Sequence, residues 1–166
     1  EEVIFTSGGS ESNSLALRGV LDASEHRGRH LITSTVEHHA VLDTAEQLER
    51  EGADVTVVGV GGDGRVDPAD VEAAVRQDTV LVSIMHANNE VGAINDLAEI
   101  ARRVHAKNPR TMVHTDAVQS AAHLRVNVDR LGVDLLTLTA HKFYGPRGAG
   151  VLYVRSGTPL APQILG

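Results

Sequence analysis

Apolar and β-branched residues along this chain come in short unbroken runs, and between the runs they recur at three- and four-residue spacing. The runs, bounded by Gly, Pro, Asp or Asn, predict strands over Val3 to Thr6, His30 to Thr33, Asp54 to Val58 and Thr79 to Met85. Thr111 to Thr115, Val133 to Thr139 and Val151 to Val154 complete a set of seven. Helical spacing fills the gaps. Glu11 to Arg27 carries Leu15, Leu17, Val20 and Leu21 behind Ser10, a good N-cap, and Val41 to Arg50 stops at Gly52. Asp67-Pro68 pairs a cap with a proline at the first helical position and opens a helix through Val75. Asp96 to Lys107 puts Leu97, Ile100, Ala101 and Val104 on one face and halts before Asn108-Pro109. Strand and helix thus alternate, and the strands are apolar on both faces. That pattern predicts an α/β fold, a mostly parallel sheet covered by helices on both sides.

Composition narrows the picture. With 166 residues, 42% hydrophobic and 2% aromatic, the chain has the size of one ordinary soluble domain. A formal charge of -7 and the lack of any basic run argue against a nucleic-acid or anionic-membrane surface, because counterion release needs clustered Lys and Arg. No apolar stretch is long enough to cross a bilayer, and Glu1-Glu2-Val3-Ile4-Phe5 lacks the basic and apolar regions of a signal peptide, so the expected location is cytoplasmic. The absence of cysteine removes disulfides and thiolate metal sites from these residues. A strand beginning at Val3 and a last stretch, Leu160 to Gly166, without a capping element predict an internal piece of a longer chain.

In parallel sheets ligands bind beyond the carboxyl ends of the strands. The residues that follow the predicted strands are Ser7-Gly8-Gly9-Ser10-Glu11, Val36-Glu37-His38-His39, His86-Ala87-Asn88-Asn89-Glu90, Asp116-Ala117-Val118-Gln119 and Ala140-His141-Lys142. Each admits a functional and a plain reading. Ser7 to Ser10 can offer backbone N–H groups and a hydroxyl to an anion, or simply turn the chain and cap a helix. Asp116 can pair with a protonated ring nitrogen, as a pyridoxal cofactor requires, or cap the next helix. Lys142, expected at the end of a buried strand, is costly there unless its stem reaches water or its amine serves as a nucleophile. Together Lys142 and Asp116 are more specific than either alone, since one can bind an aldehyde while the other holds the far end of the ring.

The histidines do not form a metal motif. His26 and His30 straddle Gly28, the His38-His39 pair has no accompanying acid or cysteine set, and no metal site is expected. His38 reads either as a ring-stacking or proton-transfer imidazole or as an inert surface residue. Gly59-Val60-Gly61-Gly62-Asp63-Gly64 satisfies the dinucleotide pattern G-x-G-x-x-G, yet Arg65 and Val66 separate it from the Asp67-Pro68 cap, so it reads as a flexible surface turn.

Five segments in fixed order resemble the cysteine desulfurase and selenocysteine lyase family of pyridoxal-phosphate enzymes. They are Thr6 to Asn13, Glu37 to Val41, His86 to Gly92, His114 to Gln119 and His141 to Gly148. The resemblance implies a catalytic pair, Lys142 and His38: Lys142 would hold the cofactor through its aldehyde and later move the substrate α-proton, and His38 would stack on the ring and shuttle protons. Asp116 would pair with the pyridine nitrogen, Gln119 would bond the ring hydroxyl, and Asn89 would face ring and substrate. Gly9, Ser10, Thr139 and His141 would hold the phosphate. The family often has Ala-Thr where this chain has Gly9-Ser10, and Ser-Gly where it has Thr139-Ala140; the hydroxyls survive both changes.

By the same resemblance, residues 1 to 166 form the large cofactor domain of a type I pyridoxal-phosphate enzyme, a three-layer α/β/α sandwich with a seven-stranded, mostly parallel sheet and Val151 to Val154 antiparallel. An N-terminal segment, a C-terminal domain, the sulfur-accepting cysteine and a carboxylate-binding arginine would lie outside it. The implied reaction takes sulfur from L-cysteine, giving alanine and an enzyme persulfide for iron–sulfur cluster or thiocofactor assembly. Implied partners are a sulfur-acceptor or scaffold protein and a second copy in a homodimer. Selenocysteine lyase is the near alternative. A non-catalytic α/β module binding a nucleotide through its glycine-rich turns is the alternative of another class.

Overall fold

The computed structural model describes residues 2–165; Glu1 and Gly166, at the two ends of the sequence reading, lie outside it. The strands are β1 (Val3–Thr6), β2 (His30–Ser34), β3 (Asp54–Val58), β4 (Thr79–Ser83), β5 (Met112–Asp116), β6 (Leu135–Thr139) and β7 (Gly150–Val154). The helices are α1 (Gly9–Ala23), α2 (His39–Arg50), α3 (Pro68–Ala74), α4 (Leu97–Lys107) and α5 (Val128–Leu131), and a 3-10 turn spans Ala140–Phe143. One seven-stranded sheet runs β1-β7-β6-β5-β4-β2-β3. Strand β7 is antiparallel to both of its neighbours, β1 and β6, while the pairs from β6 across to β3 are parallel.

Adjacent residues of the central strands face opposite layers, as the two-residue strand period requires. Leu31, Leu81 and Leu135 enter a core with Leu17, Val20 and Leu21 of α1 and Val41, Ala45 and Leu48 of α2. Ile32, Val82 and Leu136 enter a second core with Val71 of α3 and Leu97, Ile100 and Val104 of α4. The result is the expected three-layer α/β/α sandwich. Because β1 shares the direction of the central strands, the carboxyl ends of six strands share one edge, with the start of β7 at Gly150 beside them.

Several boundaries differ from the sequence expectation, each for a local reason. Ser10 is not a cap: α1 begins at Gly9 behind Gly8, with no side-chain cap, and Glu11 reaches back to the Ser7 N–H at 2.7 Å and to its hydroxyl. Helix α2 starts two residues early because His38 Nδ1 accepts the Ala40 N–H at 3.0 Å and caps it. Asp67 and Asp96 cap α3 and α4 as the sequence indicates. Asp116 is the last residue of β5 rather than its successor, and Thr111 instead turns its hydroxyl onto Thr79 O at 2.9 Å. Strand β6 begins two residues later than predicted and β4 ends two earlier. Helix α5 and the 3-10 turn are too short for a periodic signal.

Two sequence motifs take structural roles, His30 at the amino end of β2 and the glycines after the carboxyl end of β3. His30 is fully buried and bonded to Thr79 Oγ1 at 2.7 Å and Thr56 Oγ1 at 2.9 Å, whereas His26 is exposed. The glycines after β3 close a turn through Gly64 N–H to Gly61 O at 2.9 Å, ahead of the Asp67 cap. Among the described residues no helix is long and apolar enough to cross a membrane.

Candidate active site

At the shared strand edge lies a cavity of about 330 Å³, within the size range of small-molecule sites. All nine residues named from the sequence line it: Gly9 and Ser10 on the first turn of α1, His38 before α2, Asn89 after β4, Asp116 and Gln119 at and after β5, Thr139 ending β6, and His141 and Lys142 on the 3-10 turn. Lys142 differs from expectation in one respect. Strand β6 ends three residues before it, and the side chain is exposed at the rim, so the desolvation cost of a buried ammonium does not arise.

Asp116 is the one buried acid of the set, 6% exposed. Its Oδ2 accepts from Asn13 Nδ2 at 2.7 Å and its Oδ1 from the Val118 N–H at 2.9 Å. Burial pushes its carboxyl above the ordinary range, and these two donors and the nearby His38 draw it back. Among the described residues Asp116 forms no ion pair. Asp116 caps no helix, since the residues that follow it form turns; one oxygen closes the Asp116-Val118 turn and the other meets Asn13 at the cavity wall.

The neighbours are fixed by hydrogen bonds. An accepting Nδ1 in the helix cap leaves Nε2 as the ring nitrogen of His38 that carries the proton. Asn88 anchors the loop that presents Asn89, donating to Val36 O at 2.9 Å and accepting from the N–H groups of Glu90 and Val91. His86, its basicity lowered by burial, bonds Ser120 Oγ at 3.0 Å next to Gln119. Thr139 Oγ1 lies 3.1 Å from His141 Nδ1. Beneath Asp116 on the same strand, His114 joins Ser83 Oγ at 2.8 Å to Thr137 Oγ1 at 3.0 Å across three strands.

Sequence reasoning missed three lining residues, Asn13, Met85 and Val118, and the buried Glu37 behind them. Asn13 stood inside a motif but one helical turn beyond the loop at the strand end. Glu37 accepts from Ser34 Oγ at 2.6 Å and Met85 N–H at 2.9 Å, and burial raises its carboxyl to about 8.

The donor set suits a phosphorylated pyridine aldehyde. Asp116 is a buried acid able to pair with a protonated ring nitrogen, the N-terminus of a fifteen-residue helix with Gly9 and Ser10 can take an anion, and an exposed amine stands at the rim.

Fold and site together define an α/β domain with its cavity at the carboxyl edge of a mostly parallel sheet. The aminotransferase class-V family profile matches residues 1–166, and the chain belongs to that family. It is 53% identical over 166 residues to the cysteine desulfurase IscS of Dictyoglomus turgidum, covering 100% of this chain and 42% of the relative. It is 54% identical over 153 residues to the same-named protein of Pseudomonas entomophila, covering 92% and 37%. Among solved structures, a NifS-like protein superposes with TM-score 0.96 at 43% identity, over 99% of this chain and 45% of the other. SspA in complex with cysteine superposes with TM-score 0.92 at 42% identity, over 99% and 48%. The chain therefore spans less than half the length of these relatives.

Proposed function

We propose that these residues are the cofactor-binding part of a pyridoxal-phosphate-dependent cysteine desulfurase. The observation that carries the reading is that Lys142, Asp116, His38 and the Gly9-Ser10 end of α1 line one cavity in a chain at least 50% identical to proteins of that name. When bound, pyridoxal phosphate supplies an aldehyde for amine chemistry and a ring that draws electrons from the substrate α-carbon.

The chain's own groups then divide the work. Gly9, Ser10, Thr139 and His141 bind the phosphate, helped by the partial positive charge at the α1 N-terminus. Asp116 holds the ring nitrogen in its protonated form, and Gln119 bonds the ring hydroxyl. His38 covers one face of the ring with its helix-capped imidazole. Asn89 orients the substrate carboxylate side. Lys142 Nζ would hold the cofactor through its aldehyde, and as a free amine would accept the substrate α-proton and return it.

In the overall reaction a thiol attacks the substrate sulfur, the Cβ–S bond breaks, and the products are alanine and a persulfide. The 166 residues contain no cysteine, so that thiol belongs to another part of the protein or to an acceptor. A scaffold or acceptor protein and a second copy of the chain are the partners this reading includes, and the cytoplasm the location.

Incubating the full-length protein with pyridoxal phosphate, reducing with borohydride and mapping the peptides tests the anchor. A label on Lys142 that disappears in Lys142→Ala supports the reading, and no label in the folded protein overturns it. Assays on L-cysteine and L-selenocysteine, with and without a thiol acceptor, test the substrate.

A further inference from the structure

The first two turns of α1 touch the cavity at two places. Gly9 and Ser10 line it at the helix N-terminus, and Asn13, four residues after Gly9 and so on the same helical face, lines it again further in. Asn13 is 1% exposed, and its amide is split in its satisfaction: Nδ2 donates to Asp116 Oδ2 at 2.7 Å, while the buried Oδ1 has no hydrogen-bond partner. A buried amide oxygen left unpartnered is unfavourable. The opposite amide orientation would place that oxygen against Asp116, which is workable only if the acid carries a proton to donate. The observed orientation suits an acceptor-only carboxylate.

We propose that Asn13 is a positioning residue for Asp116, holding the acid ionised, and that together with the Val118 N–H it fixes both carboxylate oxygens so that the charge faces the cavity. This rests on the reading of Asp116 as partner of the cofactor ring nitrogen, and deepens it by naming what keeps that acid charged although it is buried. A hydrogen bond to an ionised acceptor is stronger than one to a neutral acceptor, so the Asn13 amide favours the charged form. Burial acts in the opposite direction. The other titratable groups around Asp116 are Glu37 and His38 in the loop between β2 and α2, His141 and Lys142 on the 3-10 turn, and His86 beyond β4, whose backbone N–H donates to Asp116 O. Asn13 is distinguished from them by carrying no charge of its own and by touching the carboxylate directly.

The α1 helix thereby links two ends of the cofactor site. Its N-terminus serves the anion and its second turn serves the acid. A change that rotates or shifts α1 moves both together.

The test is a carbon-13 NMR titration of the Asp116 carboxyl in cofactor-free full-length protein, the resonance assigned by its loss in Asp116→Asn. Asn13→Leu keeps the side-chain size and removes the donor, and is expected to move the Asp116 midpoint up by roughly one pH unit or more. It should also weaken pyridoxal phosphate binding, read by equilibrium dialysis. An unchanged midpoint overturns the proposal. Should leucine disturb the fold, Asn13→Ala removes the same donor and is read by the same two outcomes. A purely structural asparagine would change melting temperature without moving the Asp116 midpoint. A midpoint that shifts in the variant while the parent protein itself binds no pyridoxal phosphate supports the Asn13 assignment and overturns the cofactor reading, so the two fail separately.

Discussion

The Oε1 atom of Glu37 accepts the backbone N–H of Met85 at 2.9 Å, tying the loop after β2 to the chain leaving β4 directly behind the cavity. The same oxygen accepts from Ser34 Oγ at 2.6 Å. One buried side chain thus sets the spacing of two strand ends that carry His38 and Met85, both cavity-lining residues.

Burial raises the Glu37 carboxyl from its ordinary 4.5 to about 8. Between those values the folded protein holds a proton that the unfolded chain has released, so stability falls as pH rises through that window. The full effect is on the order of 3–5 kcal/mol. Glu37→Gln keeps an acceptor for Met85 N–H and carries no charge. Urea unfolding at pH 5 and pH 8 should show the parent losing stability relative to Glu37→Gln, and parallel curves would count against a proton on Glu37.

His114 has the opposite sign. Full burial holds its imidazole down to about 3, so between the usual histidine range and that value the unfolded chain binds a proton that the fold excludes. Stability from this residue is present near neutral pH and is lost on acidification. His114→Leu should flatten the acid limb of a pH-melting profile. At pH 7 it should cost roughly 2–4 kcal/mol, because the hydroxyls of Ser83 and Thr137 lose their shared partner.

Gly150 leaves room for the turn at Gly8 and Gly9. A Cβ there would lie 2.6 Å from the Gly8 Cα and 2.6 Å from Thr6 Oγ1, and the Gly8 backbone cannot give way without moving Gly9 and Ser10. Gly150→Ala is expected to destabilise the fold by about 1–3 kcal/mol. It should also raise the dissociation constant for pyridoxal phosphate, measured by fluorescence titration, whereas the same substitution at the unobstructed Gly59 should leave it unaltered.

Asp116→Asn separates binding from turnover. The amide can still accept from Val118 N–H, so the turn persists. It cannot hold a neighbouring ring nitrogen protonated. Borohydride labelling at Lys142 should survive, while L-cysteine turnover falls by roughly 10²- to 10³-fold, the scale of losing one preorganised electrostatic partner. Turnover equal to the parent's would remove Asp116 from the mechanism.

The alternation of apolar runs and helical spacing determined the α/β class, the seven strands and the residues at their carboxyl ends. Those are local signals: a strand of five residues writes its own hydrophobic pattern, and a ligand-facing group next to its end is found by counting. The Asn13–Asp116 contact joins residues 103 positions apart and exists only because β5 lies under α1 in the finished sheet. The position of Lys142 on an exposed turn, rather than in the strand before it, also depended on tertiary packing. So did the choice of cap. Ser10 was the expected cap of α1 and no cap was named for α2, and cap preferences of about 1 kcal/mol are settled by what else each side chain can reach. Ser10 lines the cavity and the α1 entry is held by Glu11, while His38 turns Nδ1 to the Ala40 N–H and caps α2. Pattern along the chain names the groups, and the strand order that brings distant ends together decides which of them touch.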